Sequence, residues 1–157
     1  MIHTTKFLHS GRMLAMAVAL LGLTMLTFSP ARAVEIPSDD DQDVLVRTTL
    51  MTFNDANMTN NYSVLMAKAS KELQTQASVD KMQSAFETFR KNELFFEDVV
   101  TADYDSSEKA KIDNDGALVL AGVFKTDDME VKYNLRYIQN NNIWKLLGIN
   151  VSPTKNK

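Results

Sequence analysis

Six side chains in the second half of the chain have the chemistry to line a small-molecule pocket. Four are aromatic and two are carboxylates: Tyr104, Tyr133, Tyr137, Trp144, Asp98 and Asp103. Aromatic rings commonly form the walls of ligand sites, and a carboxyl group buried among them can act as a general base because burial raises its pKa. Tyrosine at alternate strand positions, however, more often belongs to a core or a sheet surface than to a ligand contact. These residues therefore define a candidate pocket without an identified catalyst.

Histidine and cysteine are almost absent from the sequence. The two histidines are His3 and His9, and there is no cysteine. If the first 33 residues are removed on export, the remaining chain cannot form a Ser-His-Asp or Cys-His catalytic centre. Zinc sites with nitrogen and sulfur ligands, and haem ligation by His or Cys, are excluded in the same way. We therefore predict no cofactor, and catalysis would depend on carboxylate, lysine, tyrosine or arginine.

One acidic loop invites comparison with a calcium site. Asp113–Gly116 places two carboxylates and a glycine at the third, fifth and sixth positions of a calcium loop. The first and twelfth positions would then be Lys111 and Gly122, where that loop requires carboxylates. We interpret Asp113–Gly116 as a hairpin turn and predict no metal site.

The first 33 residues carry the three parts of an export signal. Lys6 and Arg12 form a basic start, residues 13–28 form an apolar run, and Ala31–Ala33 is a small-x-small cleavage site. The apolar run is shorter than the roughly 20 residues that cross a bilayer as a helix, so an uncleaved anchor is the less favoured alternative. The sequence predicts a signal peptide over residues 1–33 and export, to the periplasm or alternatively to the extracellular space.

The chain that remains after cleavage is acidic. The signal contains Lys6, Arg12 and Arg32 and no acidic residue, so 14 basic and 20 acidic side chains are left, with a net charge of −6. Nucleic-acid backbones and anionic lipid surfaces attract basic proteins rather than acidic ones. We expect neither a nucleic-acid partner nor membrane association after cleavage.

Helical patterns dominate the first half of this chain. Neither Gly nor Pro occurs from Ser38 to Asp115, which favours helices. We predict an acidic leader over residues 34–42, then helices over about Gln42–Asn57 and about Tyr62–Leu73, and a third helix after the N-cap Ser78. Apolar residues repeat at helical spacing in the first and third of these: Val46, Leu50 and Phe53, then Val79, Met82, Phe86 and Phe89.

Period-two patterns take over in the second half. Strands are predicted over residues 94–102, 117–125, 129–137 and 143–151, joined by short turns. In the last strand the apolar positions change parity, which indicates a β-bulge near Leu147–Gly148. Helices followed by such a meander predict one α+β domain over residues 43–152, with its helices packed on an antiparallel sheet, and a tail over 153–157.

This order of elements, with the closing run Trp144–Val151, resembles the nuclear transport factor 2-like superfamily, and most of all its small exported bacterial members of unassigned role. Gly116–Phe124 and Met129–Tyr137 are similar to the two long central strands of that fold. The resemblance implies a curved sheet that forms a cone with the helices and encloses a pocket. The chain lacks a clear strand between the second and third helices, and no catalytic set of that family is matched.

Three functions from different classes remain open. The favoured hypothesis is an exported, non-enzymatic module that binds a small ligand or a protein. The second is an isomerase- or dehydratase-type enzyme that uses carboxylate and tyrosine without histidine. The third is a homodimeric accessory or structural protein that pairs through the polar face of the third strand, which carries Glu130, Lys132, Asn134 and Arg136.

Overall fold

The computed structural model describes residues 35–106 and 108–156, so the predicted signal peptide lies outside the described residues. Within this described part, five α-helices precede a four-stranded antiparallel sheet, which is open and is not closed into a barrel. The prediction of an α+β fold with N-terminal helices on an antiparallel sheet is confirmed. Helices and sheet share one continuous core.

The first helix, α1 (Asp39–Thr59), is the longest element. Ser38 caps it by accepting a hydrogen bond from the Asp41 backbone, and three aspartates in the first turn face the positive end of the helix dipole. The helix therefore begins three residues before the predicted start. The predicted stripe of Val46, Leu50 and Phe53 is fully buried.

The predicted second helix is two helices, α2 (Ser63–Lys68) and α3 (Lys71–Gln76). Between them Ala69 is extended and forms an isolated parallel bridge with Leu146, while the Ser70 backbone donates a 2.8 Å hydrogen bond to the Leu146 carbonyl. Ser70 then caps α3 through its hydroxyl. This single bridge brings the helical half into contact with the last strand.

The predicted third helix does begin after its N-cap Ser78, whose hydroxyl accepts from the Lys81 backbone. It is interrupted at Phe86, which separates α4 (Val79–Ala85) from α5 (Glu87–Lys91). The rings of Phe86 and Phe89 meet Phe53 of α1 edge to face, with centroids 4.6 and 5.4 Å away. Both rings pack on the same core residue, as side chains three positions apart can.

The strand predicted over residues 94–102 is wrong. The segment is irregular and then forms a 3-10 helix, Glu97–Val100. Side chains of α1 take the hydrogen bonds that a neighbouring strand would have made: Asn54 accepts from the Phe96 backbone, and Arg47 donates to the carbonyls of Val99 and Val100. The backbone is satisfied without a ladder, and apolar composition alone could not reveal this.

The sheet has the order β1-β2-β3-β4, and all neighbours are antiparallel. Its strands are β1 (Lys111–Ile112), β2 (Leu118–Lys125), β3 (Met129–Asn140) and β4 (Ile143–Lys155). The predicted turn at Asp113–Gly116 is confirmed: the Asp113 carboxylate accepts from the backbones of Asp115 and Ala117, and Gly116 has φ +78°.

The last hairpin and its bulge set the geometry of the sheet's far end. Asn141 and Asn142 both have positive φ, as a two-residue hairpin turn requires. Arg136 pairs with Gly148 and Tyr137 with Leu146, so Leu147 is the extra residue of a bulge, as predicted. The bulge restores an inward parity on both sides, so that Leu146 and Val151 are both buried.

Candidate functional site

The six residues singled out from the sequence occupy three different places. Tyr137 and Trp144 line an open groove between α1 and the end of the sheet. Tyr104 and Tyr133 lie in an aromatic cluster farther along the same sheet face, in which Tyr133 is buried and Tyr104 also borders a surface depression. Asp98 and Asp103 are exposed. The structure therefore separates the expected pocket residues into an open groove and an aromatic cluster, and neither contains the two aspartates.

The groove has a volume of about 270 Å³ and a largely apolar floor. Its floor and rim come from both sides of the interface: Val44 and Leu45 from α1, Leu65 from α2, and Tyr137, Trp144 and Leu146 from the last hairpin. Trp144, the only tryptophan in the chain, is half-buried and so has one part against the core and another facing the opening. Apolar concavities of this kind are typical small-ligand sites.

Three threonines form the polar wall of the groove. Thr48, Thr49 and Thr52 lie on one side of α1 because Thr52 follows the other two by four and three positions, spacings that share a helix face. Thr49 Oγ1 is 2.9 Å from Tyr137 Oη, which also donates to the Leu45 carbonyl at 3.2 Å. Thr52 donates to the Thr48 carbonyl at 2.7 Å. Thr48 is exposed at the opening.

Two lysines stand at one end of this wall. Lys68 Nζ donates a 3.0 Å hydrogen bond to Thr52 Oγ1, and Lys145 lies across from it on β4. Within the part of the chain that the structure describes, neither lysine forms an ion pair with a carboxylate. The end of the groove is therefore a place of uncompensated positive charge.

At its other end the groove opens into a shallower depression, which shares Val44, Leu45 and Trp144 with it. Three apolar side chains remain exposed there: Val44 at 63 %, Ile143 at 58 % and Ile36 at 41 %. Carboxylates of Glu35 and Asp41 border the same depression. The two concavities form one continuous trough, polar and basic at one end and apolar at the other.

The second region, the tyrosine cluster, consists of Tyr104, Phe124 and Tyr133, with Arg47 above them. Phe124 stacks on Tyr133 at 5.6 Å and touches Tyr104 at 6.0 Å between ring centroids. The Arg47 guanidinium lies 4.9 Å from the Phe124 ring centre and is paired with Asp43 at 2.7 Å. A cation over a ring, fixed by a carboxylate, closes this end of the interface.

The hydroxyl groups of Tyr104 and Tyr133 are buried, and among the described residues neither makes a hydrogen bond of acceptable geometry. Burial raises the pKa of both phenols, most strongly that of Tyr133, and the proximity of Tyr104 raises it further. Tyr133 is the cross-strand partner of Gly122, and a Cβ at that glycine would meet the Tyr133 ring at 2.7 Å. The missing side chain of Gly122 is what allows Tyr133 to lie across the sheet.

Carboxylates offer little support for acid-base chemistry. Of the described residues, no Asp or Glu is fully buried; the side chains of Asp113 and Asp43 are 23 % and 30 % exposed, and each is paired with an arginine. Hydrogen bonds from the Ala117 backbone and from Arg136 lower the pKa of Asp113. The described segments contain no group of three or more Asp, Glu, His or Cys residues placed to hold a metal ion.

The polar face of β3 is largely self-satisfied. Lys132 pairs with Glu130 at 3.0 Å, and Arg136 pairs with Asp113 at 2.6 Å and Asp115 at 2.9 Å. Asn134 and Lys132 are exposed on this surface. These ion pairs occupy the charges on which pairing with a second copy would depend, so this face is a weaker candidate site than the groove.

The sequence predicts the aromatic residues of the groove but not the polar residues that the helices contribute to it. Tyr137 and Trp144 were identified as pocket residues, but the threonines and the two lysines were not. One signal for them was available: helix interiors rarely carry three threonines on one face, because a β-branched residue loses side-chain freedom there. Such a choice indicates that the hydroxyls have a role beyond helix formation.

Comparisons with protein-family models, with curated proteins and with solved structures return no match to this chain. Over residues 35–106 and 108–156, none of the helices is long and apolar enough to span a bilayer.

Proposed function

We propose that the chain is an exported binding module that holds a small, mainly apolar molecule in the groove between α1 and the last hairpin. The observation that carries the proposal is the groove itself: about 270 Å³ stays open beside the buried core, between α1 and the last hairpin. Its floor is apolar and its wall presents hydroxyl groups that can orient a ligand, which is the usual composition of such sites.

A catalytic role has less support. The enzyme hypothesis requires an acid buried beside Tyr104, Tyr133 or Tyr137. Asp98 and Asp103 are exposed, and Asp43, the carboxylate nearest to the tyrosine cluster by its electrostatic effect, is paired with Arg47. Asp43 is ion-paired and partly exposed, so it does not match the isolated, buried acid that the enzyme hypothesis requires. Binding is therefore the better-supported function.

Export and family membership are part of the same proposal. The basic start, apolar run and Ala31–Ala33 site support cleavage after Ala33, and Edman sequencing of the processed protein should begin at Val34. The helices followed by an antiparallel sheet support kinship with the nuclear transport factor 2-like superfamily. The open groove would be this chain's version of a pocket between helices and sheet.

The binding proposal is tested with N-phenyl-1-naphthylamine, a neutral dye whose fluorescence rises in apolar surroundings. We expect saturable binding by the full chain, with energy transfer from Trp144, because this single tryptophan lines the groove. Thr48→Phe should abolish binding, since Thr48 lies at the opening and a phenyl ring would fill it.

The matched control is Thr88→Phe, which makes the same change at an exposed helical threonine outside the groove. It should bind the dye as the wild type does. Equal loss of binding in both variants, or equal retention, would show that the dye does not occupy the groove and would overturn the proposal.

A further inference from the structure

The charges around the groove are distributed unevenly along it. Lys68 and Lys145 lie at one end, and Lys71 borders an adjoining polar depression with Lys145. The bridge between Ala69 and Leu146 explains this clustering, because Lys68 and Lys145 are the chain neighbours of the two bridged residues. In a chain with more acidic than basic residues, this corner is positive, and none of the described acidic residues lines either depression.

The opposite end of the trough has the opposite character. Val44, Ile143 and Ile36 are exposed there, and the charged side chains at its border are the carboxylates of Glu35 and Asp41. An anion placed at this end would be repelled, whereas at the lysine end it would be attracted. An apolar chain gains most by covering the exposed Val44 and Ile143 side chains. The trough therefore defines a direction for its occupant.

We infer that the ligand of the groove is a free, elongated amphipathic anion, a fatty-acid-like carboxylate, with its head at Lys68 and Lys145 and its chain directed along α1 toward Val44. This inference rests on the proposed binding function and adds the chemical class and orientation of the ligand. Lys68 is suited to the role because its ammonium group has three donors and Thr52 takes one of them. The remaining donors are available for a carboxylate.

The length of the trough sets the size of the chain that fits. The lining residues of α1 extend from Thr52 to Asp41, which is about 16 Å at a rise of 1.5 Å per residue. This span suits an extended acyl chain of medium length rather than a compact ring system. Thr48, in the middle of the span, would lie beside the chain near its head.

The test compares decanoate with decan-1-ol as competitors of the naphthylamine dye, since the two differ at the head group alone. We expect the wild type to bind decanoate about tenfold more tightly than decanol, because charge-assisted hydrogen bonds to lysine are added. Salt should reduce this preference, as the lysines are open to solvent. In K68Q/K145Q the ratio of decanoate to decanol affinity should fall to about one.

The matched control is K91Q/K125Q, which removes the same net charge at exposed positions away from the groove and should keep the tenfold preference. The inference would be overturned if K68Q/K145Q kept the wild-type preference for decanoate over decanol, or if both double variants lost that preference equally. The proposed function would still stand in either case, provided that the dye binds. Binding to vesicles of anionic phospholipid but not to free decanoate would overturn the inference as well. Failure of the dye to bind at all would instead overturn the proposed function.

Discussion

Two ends of one interface, between α1 and the sheet, use the same residue type to different effect. Tyr133 and Tyr137 point to the same face of β3 and are about 13 Å apart along the strand. At the open end, the Tyr137 hydroxyl is bonded to Thr49 and Leu45, and its ring borders the groove. At the closed end, Tyr133 lies under Phe124 and Arg47, and its hydroxyl has no hydrogen-bond partner within residues 35–106 and 108–156.

The residues that face each tyrosine on the adjacent strands, and not the tyrosine itself, determine whether a pocket forms. Opposite Tyr133 stands Gly122, which leaves room for the ring to lie flat and fill the interface. Tyr137 has Leu118 in the place of that glycine on β2 and Leu146 next to the bulge on β4, and the helix wall there consists of threonines. At one end, the small size of Gly122 lets the Tyr133 ring fill the interface. At the other end, the bulge and the short threonine side chains leave the groove open.

The largest expected effect on stability comes from adding a Cβ at Gly122, where the Tyr133 ring occupies the space. Gly122→Ala should lower the free energy of unfolding by about 2 kcal/mol, because the new Cβ would meet Tyr133 Cζ at 2.7 Å and the Asp105 carbonyl oxygen at 2.8 Å. The measurement is urea denaturation followed by circular dichroism.

Gly148→Ala is the matched control, since a Cβ at that glycine would find its nearest neighbour at 3.8 Å, in Arg136. Its stability should stay within about 0.5 kcal/mol of the wild type. Equal losses at the two glycines would mean that the fit of Tyr133 over Gly122 does not close the interface.

A smaller effect separates the two tyrosines directly. Tyr137→Phe should cost about 1 kcal/mol, because it removes the hydrogen bonds to Thr49 and the Leu45 carbonyl. Tyr133→Phe should be neutral or stabilising by up to about 1 kcal/mol, because it removes a buried hydroxyl that has no hydrogen-bond partner among the described residues. Denaturation midpoints of the two variants provide the comparison, and a larger loss in Tyr133→Phe would contradict the account.

The smallest expected effect is a loss of stability at alkaline pH, and the contributions of Tyr133 and Tyr137 to it should be equal. Burial raises the pKa of Tyr133 and of Tyr137, so their contribution to stability is complete below the unfolded phenol pKa near 10 and is lost as the pH rises toward the folded values. At pH 10 each tyrosine should account for about 0.4 kcal/mol of the loss relative to neutral pH.

Each Tyr→Phe variant should therefore show a shallower alkaline loss of stability than the wild type, by the same amount. Tyrosinate absorbance, followed together with unfolding, measures this. Titration of Tyr133 in the folded protein near pH 10 would show that the closed end admits water, and the distinction between the two ends would fail.

Most of the fold could be predicted from the sequence because its patterns are local. The stripe of Val46, Leu50 and Phe53, the cap at Ser78 and the alternation from Met129 to Tyr137 each depend on residues close in the chain. The bulge was predictable for the same reason, since a change of parity within one strand is visible in the sequence.

The failures involve contacts between distant residues. The segment after Leu94 forms no strand because Asn54 and Arg47, about forty to fifty residues earlier, take its backbone hydrogen bonds. The break between α2 and α3 depends on the bridge from Ala69 to Leu146. Tyr137 and Trp144 could be identified as groove residues by their type. The three threonines and the two lysines could not, because they join the groove only through contacts between distant parts of the chain.

Two-dimensional ¹H–¹⁵N NMR of the protein titrated with decanoate tests the central claim most directly, because it reports on both ends of the interface at once. The account predicts that the largest shifts fall on the amides of Val44, Thr48 and Thr52 and on the indole N–H of Trp144, with those of Gly122 and Tyr133 unchanged. Shifts centred on Gly122 and Tyr133, or no shifts at all, would contradict it.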